Sequence, residues 1–169
     1  MIRVVLVDDH SMVRAGLEQL LVAAGDIEVV ASVADGATAV ERVRRLHPDV
    51  VLMDLSMPGL DGIGATAAMR EAHPDTTVVI LSSYGDRDQV LAAVRAGAAG
   101  YLLKEADPED LVRGIRAAAR GESPVSPRAG RALFAARSGG LGTADQLTPR
   151  ERQVLLLVAE GLVNKQIAR

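Results

Sequence analysis

Side chains able to do chemistry stand at the ends of apolar runs. VVLV at 4–7 is followed by Asp8 and Asp9, and VVLM at 50–53 by Asp54. VVILS at 78–82 closes on Ser82, and GYLL at 100–103 is followed by Lys104. Adjacent acids repel, and a third carboxylate beside them raises the cost of ionising all three. A divalent cation removes that cost. Oxygen donors with no Cys and no His in the set suit Mg²⁺, which keeps several waters and takes phosphate oxygens as ligands. An aspartate beside such a cation can attack phosphorus and become an aspartyl phosphate. Lys104 is a compact charge for a phosphoryl oxygen, and the Ser82 hydroxyl can donate to another. Asp54 is the candidate nucleophile, being alone at the end of its run and followed by the open loop SMPGLDG.

Taken singly, each of these residues has an ordinary explanation. Asp8 or Asp9 can cap a helix, Ser82 can be a satisfied turn hydroxyl, and Lys104 can lie along an apolar surface with its amine in water. Tyr101 can be core filler, and His10 an exposed neighbour of the acids. His47 and His73 each begin an HPD tripeptide, where the following proline ends a helix. It is the set that argues for a site, and the set needs elements to bring it together.

Those elements are legible. The runs are β-branched and continuous rather than alternating, the pattern of parallel strands covered on both faces. IEVVASV at 27–33 alternates more and suits a strand nearer an edge. Between the runs, helical spacing groups Val13, Leu17, Leu20 and Leu21, then Ala39, Val40, Val43 and Leu46. Further on it groups Val90, Leu91 and Val94, then Leu111, Ile115 and Ala118, with a small-residue helix over 62–72. Asp107 is placed to cap a helix that Pro108 begins. Five strand–helix alternations by about residue 120 predict a doubly wound α/β domain with right-handed crossovers. Ligands of such sheets bind beyond the carboxyl ends of the strands, where all the candidate residues fall.

After Arg120 the composition shifts. GESPVSP is turn-like, PRAGRALFAAR suits a short helix, and SGGLGTADQ reads as flexible, so 121–146 is expected to be a linker. Thr148, Pro149 and Glu151 then spell a capped helix start, with Gly161 as its end. Composition narrows the function classes. The chain has no cysteine, which excludes thiolate metal sites and cysteine nucleophiles. Aromatics are 2% of residues, too few for a base-stacking surface. No apolar run is long enough to span a bilayer, no signal peptide is evident, and a cytoplasmic location is expected.

In order and spacing, VVLVDDH, VVLMDLSMPGLDG, VVILSSY and AGAAGYLLK resemble the receiver domain of two-component response regulators of the NarL/FixJ class. LTPRERQVLLLVAEGLVNKQIA resembles the start of a LuxR-type helix-turn-helix. The resemblance implies a flavodoxin-like five-stranded parallel sheet of order 2-1-3-4-5 over 1–120. The linker at 121–146 would precede an incomplete all-α helix-turn-helix module at 147–169. It implies Asp54 as phosphoacceptor, with Asp8, Asp9, Asp54 and the Ser56 backbone carbonyl around Mg²⁺. It implies Lys104 as the phosphoryl-binding amine, Ser82 and Tyr101 as switch residues, and Ser56 and Tyr84 as positions that tune dephosphorylation. A sensor histidine kinase is the implied phosphoryl donor. On phosphorylation Ser82 would move to the new group and Tyr101 would swing inward behind it.

A helix-turn-helix reads bases with its second helix. The NKQIA helix would be the supporting one, so this chain is expected not to bind DNA specifically, although Lys165 is a candidate backbone contact. A homodimer is expected, through the receiver domain or the apolar helix after Thr148. Two other readings use the same residues. One is a metal-dependent phosphatase or phosphotransferase with an aspartate nucleophile; against it, Ser56 stands where such enzymes carry a general acid. The other is a receiver-like interaction module that is never phosphorylated; against it, neither the acids nor the lysine are lost.

Overall fold

The computed structural model of the chain describes residues 1–138. Strands β1 (Ile2–Val7), β2 (Ile27–Val33), β3 (Val50–Asp54), β4 (Thr77–Ser82) and β5 (Gly100–Leu103) alternate with five helices. These are α1 (Ser11–Ala23), α2 (Gly36–Leu46), α3 (Gly62–Ala72), α4 (Arg87–Ala96) and α5 (Pro108–Ala119). A sixth, α6 (Pro127–Ser138), follows. The sheet runs β2-β1-β3-β4-β5, and every neighbouring pair is parallel. The order agrees with the resemblance. The helix expected from Thr148 and the candidate Lys165 lie outside the described residues.

The continuous apolar runs now have their reason. Alternate residues of one strand point to opposite faces, and both faces are covered. Val5, Val7, Val51, Met53, Val78 and Ile80 meet Ala39, Val43, Ala65, Met69, Val90 and Val94 on the side of α2, α3 and α4. Val4, Leu6, Leu52, Val79 and Leu81 meet Leu21, Leu111 and Ile115 on the side of α1 and α5. A strand sandwiched in this way has no solvent face on which to place polar residues. Chemistry-bearing side chains are therefore confined to the strand ends.

Local signals fix the helix starts. Asp35 and Asp61 cap α2 and α3, their carboxylates accepting from Thr38 N and Gly64 N at 2.8 Å each. Asp107 holds the cap position of α5 and Pro108 is its first residue, but the Asp107 side chain makes no capping bond; Glu109 and Asp110 supply the acidic first turn. The stretch after Arg120 returns to the sheet. Val125 pairs with Tyr101 beside β5, and Ala129 and Leu133 of α6 are buried against the α4 side.

The loop after Asp54 depends on one close approach. A Cβ on Gly62 would lie 2.1 Å from the Asp54 carbonyl oxygen, and Gly62 N donates to Leu55 O at 3.1 Å. Gly62→Ala must displace the backbone beside Asp54, and a loss of about 1–3 kcal/mol of stability is expected in thermal or urea unfolding. Gly16→Ala is the control: nothing stands within 4 Å of its added methyl in the middle of α1. There the helix should gain about 0.5–1 kcal/mol.

Candidate functional site

The carboxyl ends of β1, β3, β4 and β5 converge on one cleft. Asp8, Asp54 and Ser82 are buried in it, at 1%, 4% and 2% exposure. Lys104 spans the acids: its Nζ lies 2.6 Å from Asp8 Oδ2 and 3.2 Å from Asp54 Oδ2. Backbone fixes both walls. Lys104 N donates to Ser82 O at 2.9 Å, tying the end of β5 to the end of β4. His10 N donates to Asp8 Oδ1 at 2.8 Å, and Arg14 holds the Asp8 carbonyl at 2.6 Å, locking the turn into α1.

The electrostatics follow from burial. Loss of solvent pushes the Asp54 carboxyl above the ordinary carboxylate range; Lys104 pulls it back and Asp8 pushes it further up. Burial alone would lower the Lys104 ammonium, but its contacts with Asp8 and Asp54 outweigh that and raise it, so the amine is charged at neutral pH. One ammonium cannot balance three carboxylates. Asp8, Asp9, His10 and Asp54 each place a donor atom within 4.8 Å of the others. Asp8 Oδ2 and Asp9 Oδ1 are buried and accept no hydrogen bond with good geometry. Lys104 Nζ is beside Asp8 Oδ2 and His10 Nδ1 beside Asp9 Oδ1, yet three carboxylates still share one ammonium, and that excess of oxygen donors and negative charge fits a hard divalent cation such as Mg²⁺.

The other predicted residues flank this centre. Ser82 Oγ accepts from Tyr84 N at 3.1 Å. Tyr101 is 1% exposed and its hydroxyl donates to Tyr84 O at 2.7 Å. Burial raises the Tyr101 phenol, while a hydrogen bond with the Ser82 side chain pulls it down. The ring thus already lies inward, its hydroxyl satisfied by the Tyr84 carbonyl, rather than waiting outside to swing in. Ser56 and Tyr84 are exposed at the mouth of the cleft.

Two features escape pattern reading. His10 is 65% exposed at its side chain, as the sequence suggests, yet its Nδ1 reaches Asp9 Oδ1 at 2.8 Å. The triplet DDH is the signal, since the residue that caps α1 directly follows the two acids at the strand end. The second is the stretch beyond α5. Tyr101 N donates to Pro124 O at 2.8 Å and Ser126 N to Tyr101 O at 2.9 Å, so the backbone of Tyr101 is held on its outer edge. Arg128 of α6 lies against Gly85 in the loop before α4.

Comparison with known proteins places this arrangement. The family described as response regulator receiver domain matches residues 4–116, and bacterial regulatory proteins of the luxR family match 145–169. The chain is 41% identical over 170 residues to the nitrate/nitrite response regulator protein NarL of Escherichia coli K12, covering 98% of this chain and 79% of that protein. It is 43% identical to the transcriptional regulatory protein LiaR of Bacillus subtilis, covering 99% and 81%. Among solved structures, a LuxR-family two-component response regulator from Aurantimonas sp. SI85-9A1 superposes with a TM-score of 0.77 at 36% identity, over 80% of this chain and 97% of that one. The acid cleft at the carboxyl edge of a 2-1-3-4-5 sheet and these matches at both ends of the sequence agree: the chain belongs to the two-component response regulators of the LuxR/NarL family, transcription regulators that join a receiver domain to a helix-turn-helix.

Proposed function

We propose that Asp54 accepts the phosphoryl group, from a phosphohistidine of a sensor kinase or from a small acyl phosphate. The observation that carries this is the Lys104 amine lodged between Asp8 and Asp54, at 2.6 and 3.2 Å. An Asp54 carboxylate oxygen attacks phosphorus, a P–O bond forms, and the P–N bond of the donor breaks with its electrons returning to the imidazole. The added phosphoryl oxygens arrive where Lys104 already points, and its ammonium neutralises one of them. A bound Mg²⁺, held by Asp8, Asp9 and Asp54 with the Ser56 carbonyl, would supply the remaining positive charge. Ser56 and Tyr84 border the route that water takes to the acyl phosphate, and so set its lifetime.

Ser82 is the first group to respond in this reading. Its hydroxyl turns from Tyr84 N toward the phosphoryl oxygens, and the 82–86 loop follows. Tyr101 reads that movement through its bond to the Tyr84 carbonyl, with the face of α4, β5 and α6 as output. Residues 1–120 form the phosphoacceptor domain, 121–146 the connection, and 147–169 the opening part of the DNA-binding module. Lys165 is a DNA-backbone contact and homodimerisation is the step under phosphoryl control. Among the described residues, no helix is long and apolar enough to cross a membrane.

Incubation with Mg²⁺ and acetyl phosphate should give one acid-stable, base-labile phosphoryl adduct by intact mass, absent in Asp54→Ala and strongly reduced in Lys104→Ala. An adduct of equal yield in Asp54→Ala would defeat the assignment. A second prediction comes from the raised Asp54 carboxyl. A group that binds its proton more tightly in the folded state stabilises the fold at acid pH, and that contribution is lost as pH rises through the ordinary carboxylate value toward the raised one. Without Mg²⁺, Asp54→Asn should melt above wild type at neutral pH, the gap closing below about pH 4. Mg²⁺ should raise the wild-type melting temperature more than that of the variant. Equal melting of the two proteins at neutral pH without metal would count against the electrostatic account.

A further inference from the structure

We propose that His10 is a nitrogen donor to the acid pocket, so that the pocket takes first-row transition cations of the Co²⁺, Ni²⁺ and Zn²⁺ kind more tightly than its oxygen atoms alone would. The inference rests on the reading of Asp8, Asp9 and Asp54 as a cation site and adds a ligand to it. His10 Nδ1 lies 2.8 Å from Asp9 Oδ1 and 3.4 Å from Asp8 Oδ1. Neighbouring ligands of an octahedral ion held at about 2.1 Å stand about 3 Å apart. The imidazole nitrogen therefore stands from each of the two carboxylate oxygens at about the spacing of adjacent ligands, and Asp54 completes a set of donors within 4.8 Å of one another. Lys104 approaches Asp8 through its other oxygen, Oδ2, which leaves the Oδ1 side to His10.

The backbone holds His10 in place for this. It is the cap residue of α1 in extended conformation, its N–H is spent on Asp8 Oδ1, and its carbonyl accepts from Arg14 N. The ring hangs over the mouth of the pocket on a single side-chain arm. Asp9 Oδ1, the atom nearest Nδ1, is one of the buried oxygens with no hydrogen bond of good geometry. Imidazole favours zinc, nickel, copper and iron, whereas Mg²⁺ is served by carboxylate, carbonyl and water. His10 thus discriminates between cations: Mg²⁺ uses the oxygens, and a transition ion uses the oxygens and Nδ1. His47 and His73 end α2 and α3, away from the pocket edge of the sheet, and are internal controls.

The test uses the full chain with ¹⁵N-labelled histidine and Co²⁺ as the probe, above the ordinary imidazole titration range. The expected result is one strongly shifted imidazole resonance, assigned to His10 by its disappearance in His10→Asn. The ratio of Co²⁺ to Mg²⁺ affinity, by calorimetry, should fall about tenfold in His10→Asn and in His10→Gln. An unchanged ratio in both variants, or a shifted ring that belongs to His47 or His73, would overturn the proposal. Asp9→Asn separates it from the reading beneath: loss of both cations supports the pocket, and undiminished Mg²⁺ binding there would sink the pocket itself while leaving the His10 variants to be judged on their own ratio.

Discussion

Negative charge concentrated at one edge of a buried sheet is the constraint on which the rest of this molecule depends. Asp8 and Asp54 are nearly as inaccessible as the valines that precede them. Carboxylates removed from water are costly unless cations or donors meet them. The fold answers with what that edge provides: the Lys104 ammonium from β5, the His10 N–H from the start of α1, and the Ser56 N–H from the loop after β3. In a doubly wound sheet every strand delivers its last residue, and every helix its first turn, to the same side. The topology is thus what makes the charge cluster possible, and three carboxylates facing one ammonium give the edge the charge and the oxygen donors that suit a hard divalent cation.

The same constraint explains what was legible in the sequence. Strands covered on both faces must be apolar throughout, so Val4–Val7, Val50–Met53 and Val78–Leu81 announce themselves, and the first polar residue after each marks the cleft. The cluster residues Asp8, Asp54, Ser82 and Lys104 could be named without coordinates because sheet topology assigns them to one edge. Features set by a single side chain or by tertiary docking were harder to see. His10 looks like an exposed neighbour in sequence, and only the turn into α1 brings its ring to Asp9. The bidentate pair of Arg116 with Asp26, joining α5 to the α1–β2 turn at 2.8 Å, has no sequence signature, since ninety residues separate the partners.

The stretch after α5 shows a different limit. Pro127–Ser138 offers few apolar anchors among arginines and alanines, and nothing in that pattern says what it meets. The structure gives it a surface: Ala129 and Leu133 enter the core on the α4 side. Gly100 makes room for the approach, since a Cβ there would lie 2.6 Å from the Pro124 carbonyl. An edge strand with unpaired backbone groups invites a partner, and here residues 124–126 of the same chain fill that role on β5.

Tyr101 lies where these two halves of the structure meet. Its hydroxyl is held by the Tyr84 carbonyl on the cleft side, and its N–H and carbonyl are held by Pro124 and Ser126 on the outer side. A phenol whose ring is buried and whose carbonyl partner moves away must follow it, turn to the Ser82 side chain, or lose a hydrogen bond at a part-buried atom. Following it strains the pairing with 124–126 and, through Pro127, the seat of α6. These bonds join the 82–86 loop, through one side chain and its own backbone, to the segment that leads into α6. The inward position of the ring does not weaken this logic. A tyrosine held at its hydroxyl, its N–H and its carbonyl is mechanically continuous with both the 82–86 loop and residues 124–126, which a ring lying in solvent would not be.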